Sequence, residues 1–360
     1  MKLGLGLYGN MLNQENFRFA RQAGATHIVA HLVGYFGALT DAAKDDRLKG
    51  FGISRPDGEI WTYEGMRALR QALNAEGLEL EAIENFEPAH WYDVLLDGPR
   101  KREQMEHLKR ILRDMGRAGI PVMGYNFSFA GVWGRTRTHA ARGGAETVGF
   151  HDPQQTPIPR GMIWNMVYDP TVFDPEGRNG VVGEITQEQL WERLTDFLRE
   201  MLPVAEEAGV KLALHPDDPP MPTLRGTARL VYQPYIYDRV LNVYPSPMNT
   251  LEFCLGTLGE MTEGDIYEVV DKYSRLGKIA YIHFRNVRGK VPHYDEVFID
   301  EGDIDMIRVL RILHRNGYDG VLIPDHTPAM SCAAPWHAGM AYALGYMRAA
   351  ISLIEQFDNQ

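Results

Sequence analysis

Residues 185–216 read ITQEQLWERLTDFLREMLPVAEEAGVKLALHP. The first part spaces its apolar residues three and four apart, the period of one helical face, and ends on a glycine, a common helix stop. A short unbroken apolar run, VKLAL, follows, which is how a strand buried on both faces reads. This helix-to-strand unit recurs along the chain. LGLGLY (3–8) leads to ENFRFARQAG, THIVAHL (26–32) leads to TYEGMRALRQALNAEG, and LELEAIEN (78–85) leads to KREQMEHLKRILRDMGRAG. PVMGYNF (121–127) precedes the helix quoted above, and VKLALHP (210–216) precedes a helical stretch near 226–243. NTLEFCLG (249–256), IAYIHFRN (279–286) and DGVLIPDH (319–326) each lead to a further helix, the last near 337–356.

Strands separated by helices pair in parallel, and eight such units close most naturally into an α/β fold of the (β/α)8 TIM-barrel type, here a single domain over residues 1–360. A doubly wound open sheet is the alternative. The glycines of the first strand do not form the G-x-G-x-x-G turn that opens a dinucleotide-binding helix, which favours the barrel. Residues 128–184 break the rhythm, mixing Gly, Pro, Arg and aromatics without a sustained period. Following the fourth strand, this insertion is expected on the C-terminal face of the barrel, where a long loop can act as a lid. The segment FGISRPDGEIW (51–61) thickens the loop after the second strand in the same way.

Composition limits the partners. With 44% hydrophobic and 24% charged residues the chain reads as globular, and a net charge of −11 repels phosphate backbones and anionic lipid. Nucleic acid and membrane are therefore not expected as partners, and a small-molecule substrate is. The N-terminal MKLGLGLYGNMLNQ lacks a signal-peptide apolar core, so a cytoplasmic location is expected. With only Cys254 and Cys332 present, no disulfide framework is expected.

In a barrel, the C-terminal ends of the strands converge on one pocket. The fifth strand ends in His215, the sixth in Cys254, the seventh in His283 and the eighth in Asp325 followed by His326. Singly, each has an ordinary reading: a rim histidine, a small core thiol, a helix cap. Four ligand-type residues at the ends of four consecutive strands read instead as a metal site made of two imidazoles, a thiolate and a carboxylate. Thiolate softness alone favours zinc or iron over manganese. Asp217 or Asp218, in the turn after His215, could orient a ligand imidazole, and the prolines of HPDDPP stiffen that turn.

HPDDPP, FCLGT, IHFRN and PDH, with GYNFSFAGVWGRTRT upstream, resemble the motifs of the mannonate dehydratase family in order and spacing, and the resemblance runs from RQAGATHIV to the final helix. It implies a xylose-isomerase-like barrel that uses Mn2+ or Fe2+ to convert D-mannonate, or a related aldonic acid, to a 2-keto-3-deoxy sugar acid. On that resemblance His215, Cys254, His283 and Asp325 hold the metal. His326 transfers the proton, with Tyr125 and Tyr342 the next candidates. Arg285 acts in the catalytic set, and Arg135, Asn126 and Asp217 contact substrate. For Arg137 and Arg288 a surface ion pair and a substrate contact are equally open readings. After PDH the chain has Thr327, Pro328 and Ala329 where the family continues Gly-His-Gln, and Tyr342 is shifted from the family tyrosine. A metal-dependent sugar isomerase or epimerase, or a sugar-acid binder without turnover, are the other functions such a barrel could serve. A homo-oligomer is expected.

If the four strand ends form one cage, Cys254→Ser and His215→Ala each lower bound metal well below one ion per chain, roughly as removal of one of four ligands should. Cys332→Ser leaves metal content unchanged. Elemental analysis of the purified variants reads both, and full occupancy in Cys254→Ser would remove the thiol from the cage.

Overall fold

The computed structural model describes residues 1–35, 52–54, 61–174 and 176–357. Eight parallel strands form a closed barrel: β1 (Lys2–Tyr8), β2 (His27–His31), β3 (Glu79–Glu84), β4 (Val122–Tyr125), β5 (Lys211–Leu214), β6 (Asn249–Cys254), β7 (Ile279–His283) and β8 (Val321–Ile323). Each pairs with its neighbours in sequence, and β1 closes on β8 with Lys2 opposite Val321. Helices α1 (Gln14–Gln22), α2 (Tyr63–Ala75), α3 (Lys101–Ala118), α4 (Gln187–Ala208), α5 (Ile236–Val243), α6 (Ile266–Arg275), α7 (Met306–Arg315) and α8 (Pro335–Phe357) follow the strands in turn. The expected (β/α)8 barrel is the observed fold.

The helices begin and end where local chemistry dictates. Thr186 caps α4 with a reciprocal Thr186–Gln189 pair, and Gly209 closes it in the left-handed conformation at φ 68°, which costs glycine little. One expected helix starts late. The stretch near 226–243 becomes helical only at Ile236, because Asp217 accepts the backbone N–H groups of Leu230 and Val231 at 2.7 and 2.8 Å and pins that segment in another path.

The strands are buried on both sides, and alternation sorts their residues. Val29, Ala82, Val122, Ala213, Tyr281, Val321 and Ile323 fill the barrel interior, while Met123, Leu212, Leu251, Phe253 and Leu322 pack outward in the larger core shared with the helices. Interior parity then carries on to the upper rim through His31, Glu84, Asn126, His215, Cys254, His283 and Asp325.

The segment 128–184 is more regular than its sequence suggests. Arg135–Ala141 and Ala145–His151 form a hairpin, and His151 pairs with His293 to extend a second hairpin, Asn286–Lys290 with His293–Val297, into a four-stranded antiparallel sheet. The missed signal is a register between two segments far apart in sequence. Met162–Ile163, Val167–Tyr168 and Gly52–Ile53 make a small three-stranded sheet. The rest of the expected thickening after β2, residues 51 and 55–60, lies outside the described residues. Among those described, no helix is long and apolar enough to cross a membrane.

Asn286, the last residue of IHFRN, anchors the loop that follows β7. Its amide donates to the carbonyls of Ile299 and Ile304 at 3.1 and 2.9 Å, and its Oδ1 accepts from the N–H groups of Val287 and Ile304 at 3.0 and 3.2 Å. Asn286 is 1% exposed, so no water can substitute. Asn286→Ala should cost on the order of 2–4 kcal/mol, since several buried groups lose their partner at once. Urea denaturation measures this, and a loss below about 0.5 kcal/mol would mean the loop satisfies itself.

Candidate active site

His215, Cys254 and His283 converge at the C-terminal mouth of the barrel, with one ligand atom from each lying within 4.8 Å of the others. His215 follows β5 directly; its Nδ1 lies 2.5 Å from the carbonyl of Pro216, which keeps a proton there, and its Nε2 lies 4.0 Å from Glu252 Oε1. Cys254 ends β6, and its Sγ accepts the backbone N–H of Thr257 at 3.4 Å. Burial alone would raise this thiol, but Arg285 and the flanking His215 and His283 hold it well below the usual range. His283 presents Nδ1 to Asp325 Oδ2 at 3.4 Å and Nε2 to Glu84 Oε2 at 3.1 Å. Its Nδ1 is buried and has no hydrogen-bond partner.

Asp325 lies beside this trio without joining its tight ligand cluster. Its backbone is left-handed, at φ 61°, so the chain turns immediately past β8. That turn lets Asp325 and His326 face the same cleft, which an extended strand would forbid.

A second layer of charge surrounds the cage. Arg285 donates Nε to Asp325 Oδ2 at 3.1 Å, Nη1 to Glu260 Oε1 at 2.9 Å and Nη2 to Asp218 Oδ2 at 2.5 Å. Gly256 makes room for it, since a Cβ there would stand 2.2 Å from Nη1. Asp218 also meets Arg135, Thr257 Oγ1 at 3.2 Å and the hydroxyl of Tyr294 at 3.0 Å. Against the effect of burial, Arg135 and Arg285 keep the Asp218 carboxyl far below its ordinary range. Glu260, buried among these acids, is pushed the other way.

Above these residues opens a cleft. Asn126 and Arg135 line it, and each keeps a buried polar atom without a protein partner, Oδ1 and Nε respectively. His31, Asn85, Val132 and Met166 complete much of the wall. His326 sits at the rim with Nδ1 3.0 Å from Glu296 Oε2 and Nε2 3.5 Å from Asp325 Oδ1. Burial disfavours charge on His326, but Asp325 and Glu296 together raise its pKa.

Seven of the expected residues thus lie at or beside one cleft: His215, Cys254, His283, Asp325, His326, Arg135 and Asn126. Three do not touch it. Tyr125 faces outward from β4 and packs on Phe197 of α4 with ring centroids 5.3 Å apart, the wrong parity for catalysis. Asp217 is committed to Leu230 and Val231 and lies 3.2 Å from Arg229, so its neighbour Asp218 takes the cleft position. Arg285 is saturated by carboxylates beneath the cleft and positions acids without lining the wall. Tyr342 is bound to Asp300 at 2.8 Å, away from the cage. Arg137 and Arg288 pair with Glu146 and Glu301 on the surface. Glu84, Glu252, Glu260 and Glu296 were not singled out by sequence. The strand-end rule would have found Glu84, and parity with Cys254 would have found Glu252, whereas Glu260 and Glu296 lie in later segments with no such signal.

The family model of D-mannonate dehydratase (UxuA) matches residues 1–353. A mannonate dehydratase of Thermotoga maritima is 30% identical over 350 residues, covering 91% of this chain and 89% of that protein. The crystal structure of mannonate dehydratase from Streptococcus suis serotype 2 superposes with a TM-score of 0.77 at 25% identity, over 100% of this chain and 95% of that one. A D-tagatose 3-epimerase-like protein, at 15% identity and a TM-score of 0.58 over 99% of both chains, shares the fold.

Replacing Arg285 by Met strands Asp218, Glu260 and Asp325 without their shared cation. Loss of one partner of a buried ionic network costs about 3–5 kcal/mol, so Arg285→Met should show a large drop in thermal and chemical stability. Near-wild-type unfolding would mean that the acids relax by taking up protons.

Proposed function

The chain belongs to the mannonate dehydratase family, and from that premise we propose how the residues of its cleft divide the work. The enzyme is a metal-dependent hydro-lyase that removes water from D-mannonate or a related aldonic acid to leave a 2-keto-3-deoxy acid. The observation that carries the assignment of roles is the convergence of His215, Cys254 and His283, with Asp325 beside them, directly under a cleft that has His326 at its rim.

These residues suit a divalent transition metal. The buried Nδ1 of His283, facing Asp325, and a thiol held low in pKa are donors suited to a cation. We take His215, Cys254, His283 and Asp325 as the ligands and Mn2+ or Fe2+ as the ion. When bound, the ion supplies Lewis-acid stabilisation of the negative charge that develops on the oxygens of the substrate.

The protein's own groups do the rest. Arg135, with its Nε unpartnered, and Asn126, with its Oδ1 unpartnered, offer a donor and an acceptor that fit the carboxylate and hydroxyls of a sugar acid. Dehydration removes the proton from carbon 2, breaks the bond from carbon 3 to its hydroxyl oxygen, and releases water, after which the enol tautomerises to the keto acid. His326 exchanges a proton with substrate at Nε2, because Glu296 holds Nδ1. Segment 128–184 contributes Val132, Arg135 and Met166 to the wall and, in this reading, covers the cleft as a lid on a single barrel domain. The same reading makes the enzyme cytoplasmic and a homo-oligomer, which light scattering on the purified protein tests.

With the metal-reconstituted enzyme and D-mannonate in deuterated water, NMR should show a 2-keto-3-deoxy acid accumulating. Deuterium exchange at carbon 2 without loss of water would instead indicate an isomerase or epimerase. His326→Asn should keep nearly stoichiometric metal and bind substrate, yet lose on the order of 100-fold or more in turnover, the usual contribution of a positioned acid or base. Loss of metal in that variant would make His326 a ligand.

A further inference from the structure

Beside the proposed ligands stand two acids that the proposed mechanism does not use, Glu84 at the cleft wall and Glu252 deeper in the barrel. Glu84 ends β3, and Glu252 stands two residues before Cys254 on the inward face of β6; they are 6% and 0% exposed. Both carboxylates turn to one atom. His283 Nε2 lies 3.1 Å from Glu84 Oε2 and 3.0 Å from Glu252 Oε1. Tyr281 donates its hydroxyl to Glu84 Oε2 at 3.1 Å, which helps fix that carboxylate. The arrangement needs a glycine opposite, since a Cβ on Gly124 would stand 2.7 Å from Glu252 Oε2 and 2.1 Å from the Tyr281 hydroxyl. Two buried carboxylates so close together are costly unless a shared donor lies between them.

We infer that Glu84 and Glu252 are positioning residues of the proposed metal centre, holding the Nε2–H of His283 so that its Nδ1 is presented beside Asp325 to the proposed ligands. Glu84 accepts the hydrogen bond, and Glu252 packs its Oε1 3.0 Å from the same nitrogen, closing that side of the ring. With Nε2 protonated and anchored below, the imidazole has one lone pair, on Nδ1, and it faces Asp325. Outer carboxylates of this kind fix ligand orientation and typically change metal affinity by about 10–100-fold. The inference rests on His283 being a ligand, as proposed above.

The test uses Co2+ alone as probe on the metal-stripped full chain. Cobalt affinity is measured by chelator competition, and the thiolate-to-cobalt absorption band reports Cys254 at saturation. Glu84→Gln and Glu252→Gln should each weaken Co2+ binding by roughly 10-fold or more while keeping one ion per chain and the thiolate band. Melting of the stripped proteins separates this from a general loss of fold, because a purely structural role lowers stability without changing affinity. Wild-type affinity in both variants overturns the inference. A wild-type stoichiometry of two ions that falls to one in Glu252→Gln also overturns it, making the pair ligands of a second ion. Cys254→Ser is the control for the underlying reading: persistence of the band there removes the cage assignment itself. Should Glu252→Gln fail to fold, Glu84→Gln alone decides, since Glu84 makes the direct hydrogen bond.

Discussion

Closing eight parallel strands into a barrel leaves each strand residue one of two directions. It faces an interior that must be filled, or a helix outside. That constraint decides which residues can do chemistry here. Ala82 and Glu84, Ala213 and His215, Glu252 and Cys254, and Tyr281 and His283 are pairs two apart on the inward face, the upper member reaching the cleft or the cage. In two pairs the lower member is alanine, which leaves space; in the other two it is Glu252 or Tyr281, so polar groups already begin one step of the pleat lower on that side of the barrel.

So much buried charge is tolerable only because it is paired in detail. Arg285 and Arg135 lie among Asp218, Glu260, Glu296 and Asp325, and both arginines remain firmly charged, since neighbouring acids outweigh the effect of burial. A single guanidinium with donors pointing three ways joins acids from three separate parts of the chain, which a lysine could not do. The motifs FCLGT and IHFRN acquire a physical reading in this network. Cys254 faces the cage, Gly256 yields space to Arg285, Thr257 bonds Asp218, and Asn286 ties down the loop.

The barrel was legible from sequence because every strand and helix carries its own period and most helices end on a glycine. The convergence of His215, Cys254 and His283, with Asp325 beside them, was legible because they stand at strand ends. Legibility failed where direction or distance mattered. Tyr125 has the right residue type at a strand end and the wrong parity, and Gly124 beside it faces inward, where its missing side chain makes room for Tyr281 and Glu252. Asp217 and Asp218 are indistinguishable in HPDDPP, and only the path of residues 230–231 shows which is occupied by backbone. Arg285 carries the charge expected of a substrate contact, but the acids that absorb it come from segments whose approach no local pattern encodes. Glu296 is the clearest case, since it reaches His326 on a strand whose partner is a hairpin inserted after β4.

That four-stranded sheet also bears on the order in which the site comes together. The proposed metal ligands ride on or immediately beyond adjacent strands of the barrel, joined by ordinary helical crossovers. Arg135 and Glu296 meet only when hairpins after β4 and β7 register against each other, with Asp295 opposite Gly149. Closing so long a loop has an entropic cost that no local contact offsets beforehand. The proposed ligands, His215 to Asp325, therefore come together over shorter chain separations than the rim contact between Arg135 and Glu296 requires.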